Sequence, residues 1–254
     1  MASSVIALQL YTVRDHMQTP EDAVASLKKV AEIGYGLVEG GPFAGLPPAD
    51  FRKACDDVGL QVVSNHYGWE ALRDETDACI ADTKTTGAEL VASGSPGEYH
   101  SAEGYARFAR ETTEIGKRLA DAGITYMYHN HAHEYARFGG RTAMEIMAAN
   151  SDPAYFQFQV DVHWVQRGGA SPVAWINALC DRTPTIHCKD TGVTPKSEPL
   201  FEPVGAGNLD WPAIIAAARE AGVRYYIVEQ DIHQLDSFES ARISYENLKS
   251  WLGG

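Results

Sequence analysis

The sequence predicts an α/β fold in which the chain closes into a single (β/α)8 barrel. Its 254 residues match the roughly 250 residues typical of such a barrel. Short apolar runs alternate with helical patterns eight times, which indicates parallel strands joined by helices. No Gly-rich dinucleotide-binding fingerprint is present, and this favours a closed barrel over an open doubly wound sheet. Because no linker or low-complexity tract divides the chain, we expect residues 1–254 to form one domain.

The eight predicted strands are short apolar runs, several of which end in an acidic residue or a histidine. They are Val5–Tyr11, Gly36–Glu39, Leu60–His66, Ala88–Ser93, Ile124–His129, Phe156–Asp161, Thr185–Cys188 and Tyr225–Glu229.

The segments between the strands carry the start and stop signals of helices. In the first, Thr19 is a suitable N-cap, Pro20 suits the first helical position, and Gly34 ends the helix. Later helices begin near Pro48, Ser101 and Asp210 and end before Gly59, Gly123 and Gly222. The long segment Lys189–Leu209 lacks this regularity, and a long loop after a strand is more often functional than not.

Charge and composition limit the partners of this chain. The formal net charge of −13 disfavours a nucleic-acid backbone or an anionic membrane as a partner. No apolar run approaches the ~20 residues that span a bilayer, and the N-terminus lacks the features of a secretory signal. We therefore expect a cytoplasmic protein that binds a small neutral or metal-held molecule. A homo-oligomer is also compatible with the sequence.

The ends of the predicted strands carry the side chains that suggest chemistry. In a parallel barrel these ends converge on one face, where active sites lie. Histidine nitrogens and carboxylate oxygens together suit Mn²⁺, Mg²⁺, Co²⁺ or Zn²⁺. The residues are Glu39, His66, His129, His131, Asp161, His187, Lys189 and Glu229, with Glu134 just beyond strand 5.

Structural roles are the alternatives for these residues. Asp161 is also a possible helix cap, and His187 a possible core histidine. Glu39 and His66 suit substrate contact and structural hydrogen bonding equally well. Because strand side chains alternate, His129 and His131 share one face.

Several motifs in order resemble those of the sugar phosphate isomerase/epimerase family, the xylose isomerase-like TIM barrels. The resemblance covers essentially the whole chain and implies a divalent metal, Mn²⁺ foremost, at the carboxyl end of the barrel. The motifs are Ile6–Arg14, Val63–His66, Tyr128–His131 with Glu134, Asp161–Trp164 with Gly168-Gly169, His187–Asp190, Val204–Trp211 and Val228–Asp231.

The resemblance implies Asp161, His187 and Glu229 as metal ligands. Many relatives carry Glu-Asn-His at the end of strand 5 with the Glu as ligand, whereas this chain has His129-Asn130-His131. Glu134 is the favoured fourth ligand, since a carboxylate preserves the charge of the site. His129 is the alternative.

The family resemblance also implies isomerisation or epimerisation of a keto- or aldo-sugar through an enediolate. His131 is the expected base, Glu229 or Glu39 the second acid/base, and Lys189 the group that stabilises oxyanion charge. Further substrate contacts are expected from Glu39, His66, Trp164 and Arg14, with Tyr11 and Phe43 as possible apolar walls.

Other functions are compatible with the same residues. A lyase, hydrolase or dehydratase acting on a 3-keto-glycoside would use the same metal-stabilised enolate. A sugar-binding barrel without catalysis is a further alternative, while an abasic-site endonuclease is disfavoured by the acidic charge. Gly205-Ala206-Gly207 suits either a phosphate site or a tight turn.

Overall fold

The computed structural model describes residues 5–41, 45–95 and 97–253, and in it eight parallel strands close into a barrel. The strands are β1 Ile6–Gln9, β2 Leu37–Glu39, β3 Gln61–His66, β4 Leu90–Ser93, β5 Thr125–His129, β6 Gln157–Asp161, β7 Thr185–Cys188 and β8 Tyr225–Val228. Each strand pairs with the next along the chain, and β8 closes the barrel against β1. The predicted α/β barrel is therefore confirmed.

Helices lie between the strands and begin and end at the predicted signals. The Thr19 hydroxyl accepts a hydrogen bond from the Asp22 amide at 3.1 Å, and Gly34 ends the first helix with φ of 119°. The helices are α1 Pro20–Ile33, α2 Pro48–Asp57, α3 Trp69–Asp74, α4 Thr76–Thr86, α5 Ala102–Asp121, α6 Ala143–Asn150, α7 Val162–Arg167, α8 Pro172–Ala178, α9 Trp211–Glu220 and α10 Ser237–Leu252. Within the described ranges, none of these helices has the length and apolarity needed to cross a membrane.

Most strands are one or two residues shorter than predicted, and two segments differ in the kind of structure they form. Strand β1 stops at Gln9 rather than Tyr11, because the Gln9 side chain accepts from the Tyr11 amide at 3.0 Å and starts a 3₁₀ helix over Leu10–His16. The segment after β7 contains an antiparallel pair, Asp190–Val193 with Pro199–Glu202. The carboxyl face is thus covered by more ordered backbone than the sequence pattern indicated.

The barrel interior changes from apolar to polar along the strands. Side chains two residues apart on a strand share a face. Thus Ala7 is followed inside by Gln9, Leu37 by Glu39, Met127 by His129, and Ile227 by Glu229. The apolar layer fills the amino end of the interior, and the polar layer above it forms the floor of the carboxyl face.

Candidate active site

Four side chains converge at the carboxyl end of the barrel. His129, Asp161, His187 and Glu229 lie in the last two residues of β5, β6 and β7 or directly after β8, and one potential ligand atom from each lies within 4.8 Å of the others. All four are at least 90% buried. Two nitrogen and two carboxylate oxygen donors at this spacing could hold a divalent metal ion.

Asp161 serves both the fold and this cluster. Its Oδ1 accepts a hydrogen bond from the Trp164 amide at 2.9 Å and so caps α7. This bond fixes the carboxylate, so that Oδ2 faces the cluster, where it accepts no hydrogen bond although Lys189 Nζ lies 3.1 Å away. Burial raises the pKa of Asp161 to about 6. A buried carboxylate oxygen that contacts one ammonium and accepts no hydrogen bond could also contact a metal cation.

The structure brings His129, and not Glu134, into the cluster. The Glu134 carboxylate accepts from the Tyr128 hydroxyl at 2.5 Å and from the His131 amide at 2.9 Å. Both of its oxygens are therefore used in holding the turn after β5. His129 Nε2, in contrast, lies 3.9 Å from Asp161 Oδ2. The geometry favours the alternative ligand over the expected one.

Two buried cations balance the carboxylates. Lys189 Nζ lies 2.8 Å from Glu229 and 3.0 Å from Asp231, in addition to its contact with Asp161. Burial alone would lower the pKa of Lys189, but these carboxylates raise it well above its usual range. His187 lies between Glu39 and Glu229, and although burial opposes its charge, the two acids raise the pKa of His187 to about 10.

A cavity of about 470 Å³ opens above this floor. It is lined by Gln9, Tyr11, Gly40, Gly41, His66, His129, His131, Lys189, Glu229 and Asp231. His131 thus reaches the cavity as expected, and burial together with the Lys189 charge lowers the pKa of His131 to about 4. A groove of about 670 Å³ elsewhere, beside Arg141 and Trp175, contains none of the strand-end residues.

Glu39 does not line the cavity, contrary to the expectation of a substrate contact. It is fully buried and accepts hydrogen bonds from His187 Nε2 at 2.6 Å, Gln9 at 2.9 Å and Gln159 at 2.7 Å. Burial alone would raise the pKa of Glu39, but His187 lowers it well below its usual range. Glu39 supports the floor from below and is not among the described lining residues of the cavity.

The other expected substrate contacts fall into two groups. His66 and Tyr11 line the cavity. Trp164 packs beside His131 at 5.6 Å between ring centroids, and Arg14 donates to the Tyr11 and Asp231 carbonyls, but neither is among the lining residues. Phe43 lies outside the described residues.

Sequence reasoning missed the roles of several polar residues around the site. Gln159 shares a strand face with Asp161, and Gln9 ends β1, so alternation along the strands was a signal that both point inward. Asp231 lies two residues beyond Glu229 and pairs with Lys189. For Asp231, in contrast, no local pattern indicated this pairing.

Asp190 organises the long segment after β7. Its Oδ2 accepts from the Gly205 amide at 2.8 Å, the Gly207 amide at 3.2 Å and the Trp211 indole at 2.6 Å. A Cβ atom at Gly207 would lie 2.4 Å from Asp190 Oδ1, so this approach requires glycine. The amides that suited a phosphate are occupied by the chain's own carboxylate, and the tight-turn alternative describes this segment.

Comparison with known proteins identifies similar chains. A family model described as a xylose isomerase-like TIM barrel matches residues 27–251. A sugar phosphate isomerase/epimerase structure from Parabacteroides distasonis is 22% identical, with a TM-score of 0.82 over 98% of this chain and 95% of that one. No curated protein matches the sequence.

Two further solved structures share the fold at lower identity. A D-allulose 3-epimerase from Methylomonas sp. is 13% identical, with a TM-score of 0.71 over 97% of each chain. A probable 3-DHS dehydratase from Bacillus anthracis is also 13% identical, with a TM-score of 0.71 over 96% of this chain and 97% of that one. At these identities the likeness establishes the fold alone.

The buried Glu134 predicts a pH dependence of stability. Burial raises the pKa of Glu134 from 4.5 to about 7, so the folded protein keeps a proton that the unfolded chain releases. This bound proton contributes to the free energy of unfolding. The contribution is fully present below pH 4.5, and about 3 kcal/mol is lost as the pH rises through 7. Glutamine does not titrate, so we expect the stability of Glu134→Gln relative to wild type to rise by that amount between pH 4.5 and 8. The measurement is urea unfolding with chelator present. A stability difference between the two proteins that stays the same at every pH would contradict the raised pKa of Glu134.

Proposed function

The chain belongs to the xylose isomerase-like TIM barrel family, and we propose that it is a divalent-metal-dependent enzyme that isomerises or epimerises a keto- or aldo-sugar. The observation that carries the proposal is the convergence of His129, Asp161, His187 and Glu229 at the floor of a cavity. The similar epimerase and isomerase structures support the substrate class.

The four residues of this cluster would hold the metal, for which we propose Mn²⁺. Asp161 Oδ2 accepts no hydrogen bond, and this oxygen together with the carboxylates around it supports a cation at this place. When bound, a divalent metal polarises a substrate carbonyl and offsets the charge that develops when the neighbouring carbon loses its proton.

His131 is the proposed base. It lies in the cavity wall, 5.0 Å from His129 between ring centroids. Because its pKa is low, the imidazole is neutral at pH 7 and has a free nitrogen to accept a proton. Of the two acids considered for the second proton transfer, Glu229 lines the cavity and Glu39 does not, so we propose Glu229. The Lys189 ammonium contacts Glu229 and is the group proposed to stabilise negative charge on the substrate oxygen.

We further propose that the sugar is not phosphorylated. Lys189 is the one Lys or Arg side chain in the described lining of the cavity, and three carboxylates already neutralise it. The backbone amides of Gly205 and Gly207 are bound by Asp190. A phosphate group would therefore meet acidic side chains with little cationic compensation.

The ligand set can be tested by metal titration. His129→Gln should weaken Mn²⁺ binding by at least about tenfold, roughly 1.4 kcal/mol, because it removes a ligand nitrogen. Glu134→Gln, its matched control in the turn that follows β5, should leave the affinity near the wild-type value. The opposite ranking would show that Glu134 is the ligand. Activity that survives complete removal of metal would contradict the metal-dependent function itself.

The role of His131 can be tested by exchange with solvent. His131→Asn should keep metal binding but lower turnover by roughly 10²–10⁴, the usual contribution of a general base. In heavy water the wild type should introduce deuterium at the carbon next to the carbonyl, and the variant should not. Undiminished exchange in the variant would assign the base to another residue.

The substrate class can be tested with matched pairs of ketoses and their phosphate esters. For each pair we expect the free sugar to have the higher kcat/KM by at least about tenfold, since the site lacks countercharge for a phosphate. Inorganic phosphate should not compete with the free sugar. A preference for the phosphate esters would contradict this part of the proposal and leave the reaction type unaffected.

A further inference from the structure

We propose that one buried carboxylate, Glu39, sets the tautomers of both histidines in the metal site, so that His129 presents Nε2 and His187 presents Nδ1. This inference rests on the proposed function, since it concerns how two of the four proposed ligands are held. It assigns Glu39 as a positioning residue rather than a substrate contact.

The directions of the hydrogen bonds around Glu39 follow from the backbone N–H of Tyr11, which can only donate. The Tyr11 backbone amide donates to Gln9 Oε1 at 3.0 Å, so the Gln9 side-chain NH₂ must face the other way. That NH₂ donates to Glu39 Oε1 at 2.9 Å. Glu39 Oε1 is therefore an acceptor, and the orientation of the Gln9 amide is fixed by the network.

The same oxygen of Glu39 determines the tautomer of His187. His187 Nε2 lies 2.6 Å from Glu39 Oε1, and because that oxygen accepts, Nε2 must carry the hydrogen. Nδ1 lies 3.9 Å from Asp161 Oδ2 and donates to Glu229 Oε2 at 2.8 Å, so a metal bound there would take the place of the Nδ1 hydrogen. Nδ1 therefore points to the two proposed carboxylate ligands.

The second oxygen of Glu39 determines the tautomer of His129 through Gln159. The Gln159 NH₂ donates to Glu39 Oε2 at 2.7 Å and to the Thr185 hydroxyl at 3.1 Å. The Gln159 carbonyl oxygen must then face His129 Nδ1, 3.1 Å away, so Nδ1 carries the hydrogen. Nε2 is left to face Asp161.

The strand register explains how one carboxylate reaches both histidines. His129 pairs with Gln159 across β5 and β6, and Gln159 pairs with Thr185 across β6 and β7. Gln9, Glu39 and Gln159 are each at least 97% buried, so water does not compete for these bonds. Partners of this kind fix the ring orientation and typically change metal affinity 10–100-fold.

The assignment can be tested by NMR of the protein labelled with ¹⁵N-histidine and loaded with Zn²⁺, which is diamagnetic. Long-range proton–nitrogen spectra should show His129 bound through Nε2 and His187 bound through Nδ1, each with a hydrogen on the opposite nitrogen. Zinc bound through the same nitrogen of both rings would overturn the assignment while leaving the metal site intact. A wild-type protein that binds no zinc would instead contradict the proposed metal function, and the inference with it.

The role of Glu39 itself needs a variant. Glu39→Gln should shift the His187 Nε2–H resonance and lower zinc affinity 10–100-fold. The matched control is Glu89→Gln, the same change at an exposed residue that pairs with Arg224 at the amino end of the barrel, and it should change neither reading. A folded Glu39→Gln protein with wild-type resonance and affinity would overturn the role of Glu39. The wild-type spectrum decides the tautomers even if the variant does not fold.

Discussion

Charge balance among buried carboxylates is the constraint on which the rest of the site depends. Glu39, Asp161 and Glu229 lie within one barrel end, and unpaired buried charges cost several kcal/mol each. Lys189 contacts Asp161 and Glu229, and His187 contacts Glu39 and Glu229. A histidine that binds a metal loses its proton, so only the Lys189 ammonium then offsets these three carboxylates, and two negative charges remain. A divalent ion held by the cluster would balance these two charges.

Much of the fold could be predicted because local signals and barrel topology agree. Thr19 and Gly34 bound α1 as their capping chemistry requires, and β7 has its predicted limits. The prediction was wrong where a side-chain cap or a pairing partner decided the structure. Gln9 ends β1 because its side chain caps the next turn, and the pairing of Asp190–Val193 depends on a partner segment that no periodicity in the sequence marks.

The sequence was sufficient to predict which strand-end residues meet in the site, but not which hydrogen bonds and ligand roles each of them has. Strand ends place Asp161, His187 and Glu229 together because parallel strands end on one face. The sequence could not decide between His129 and Glu134, since this depended on the Tyr128 hydroxyl and a backbone amide that bind the Glu134 carboxylate. The burial of Glu39 distinguishes a supporting acid from a substrate contact. This burial likewise depends on how the barrel packs and could not be predicted from the sequence.

The carboxylate of Asp190 has a consequence for the energetics of ligand binding. It accepts from the backbone amides of Thr191, Gly205, Gly207 and Leu209, so the segment is ordered when the protein folds. Fixing a residue's backbone costs roughly 1–2 kcal/mol of conformational entropy. Here that cost is met within the folding free energy, and a sugar that binds beside this segment need not supply it. Its affinity then reflects contacts in a preorganised cavity rather than the ordering of a loop.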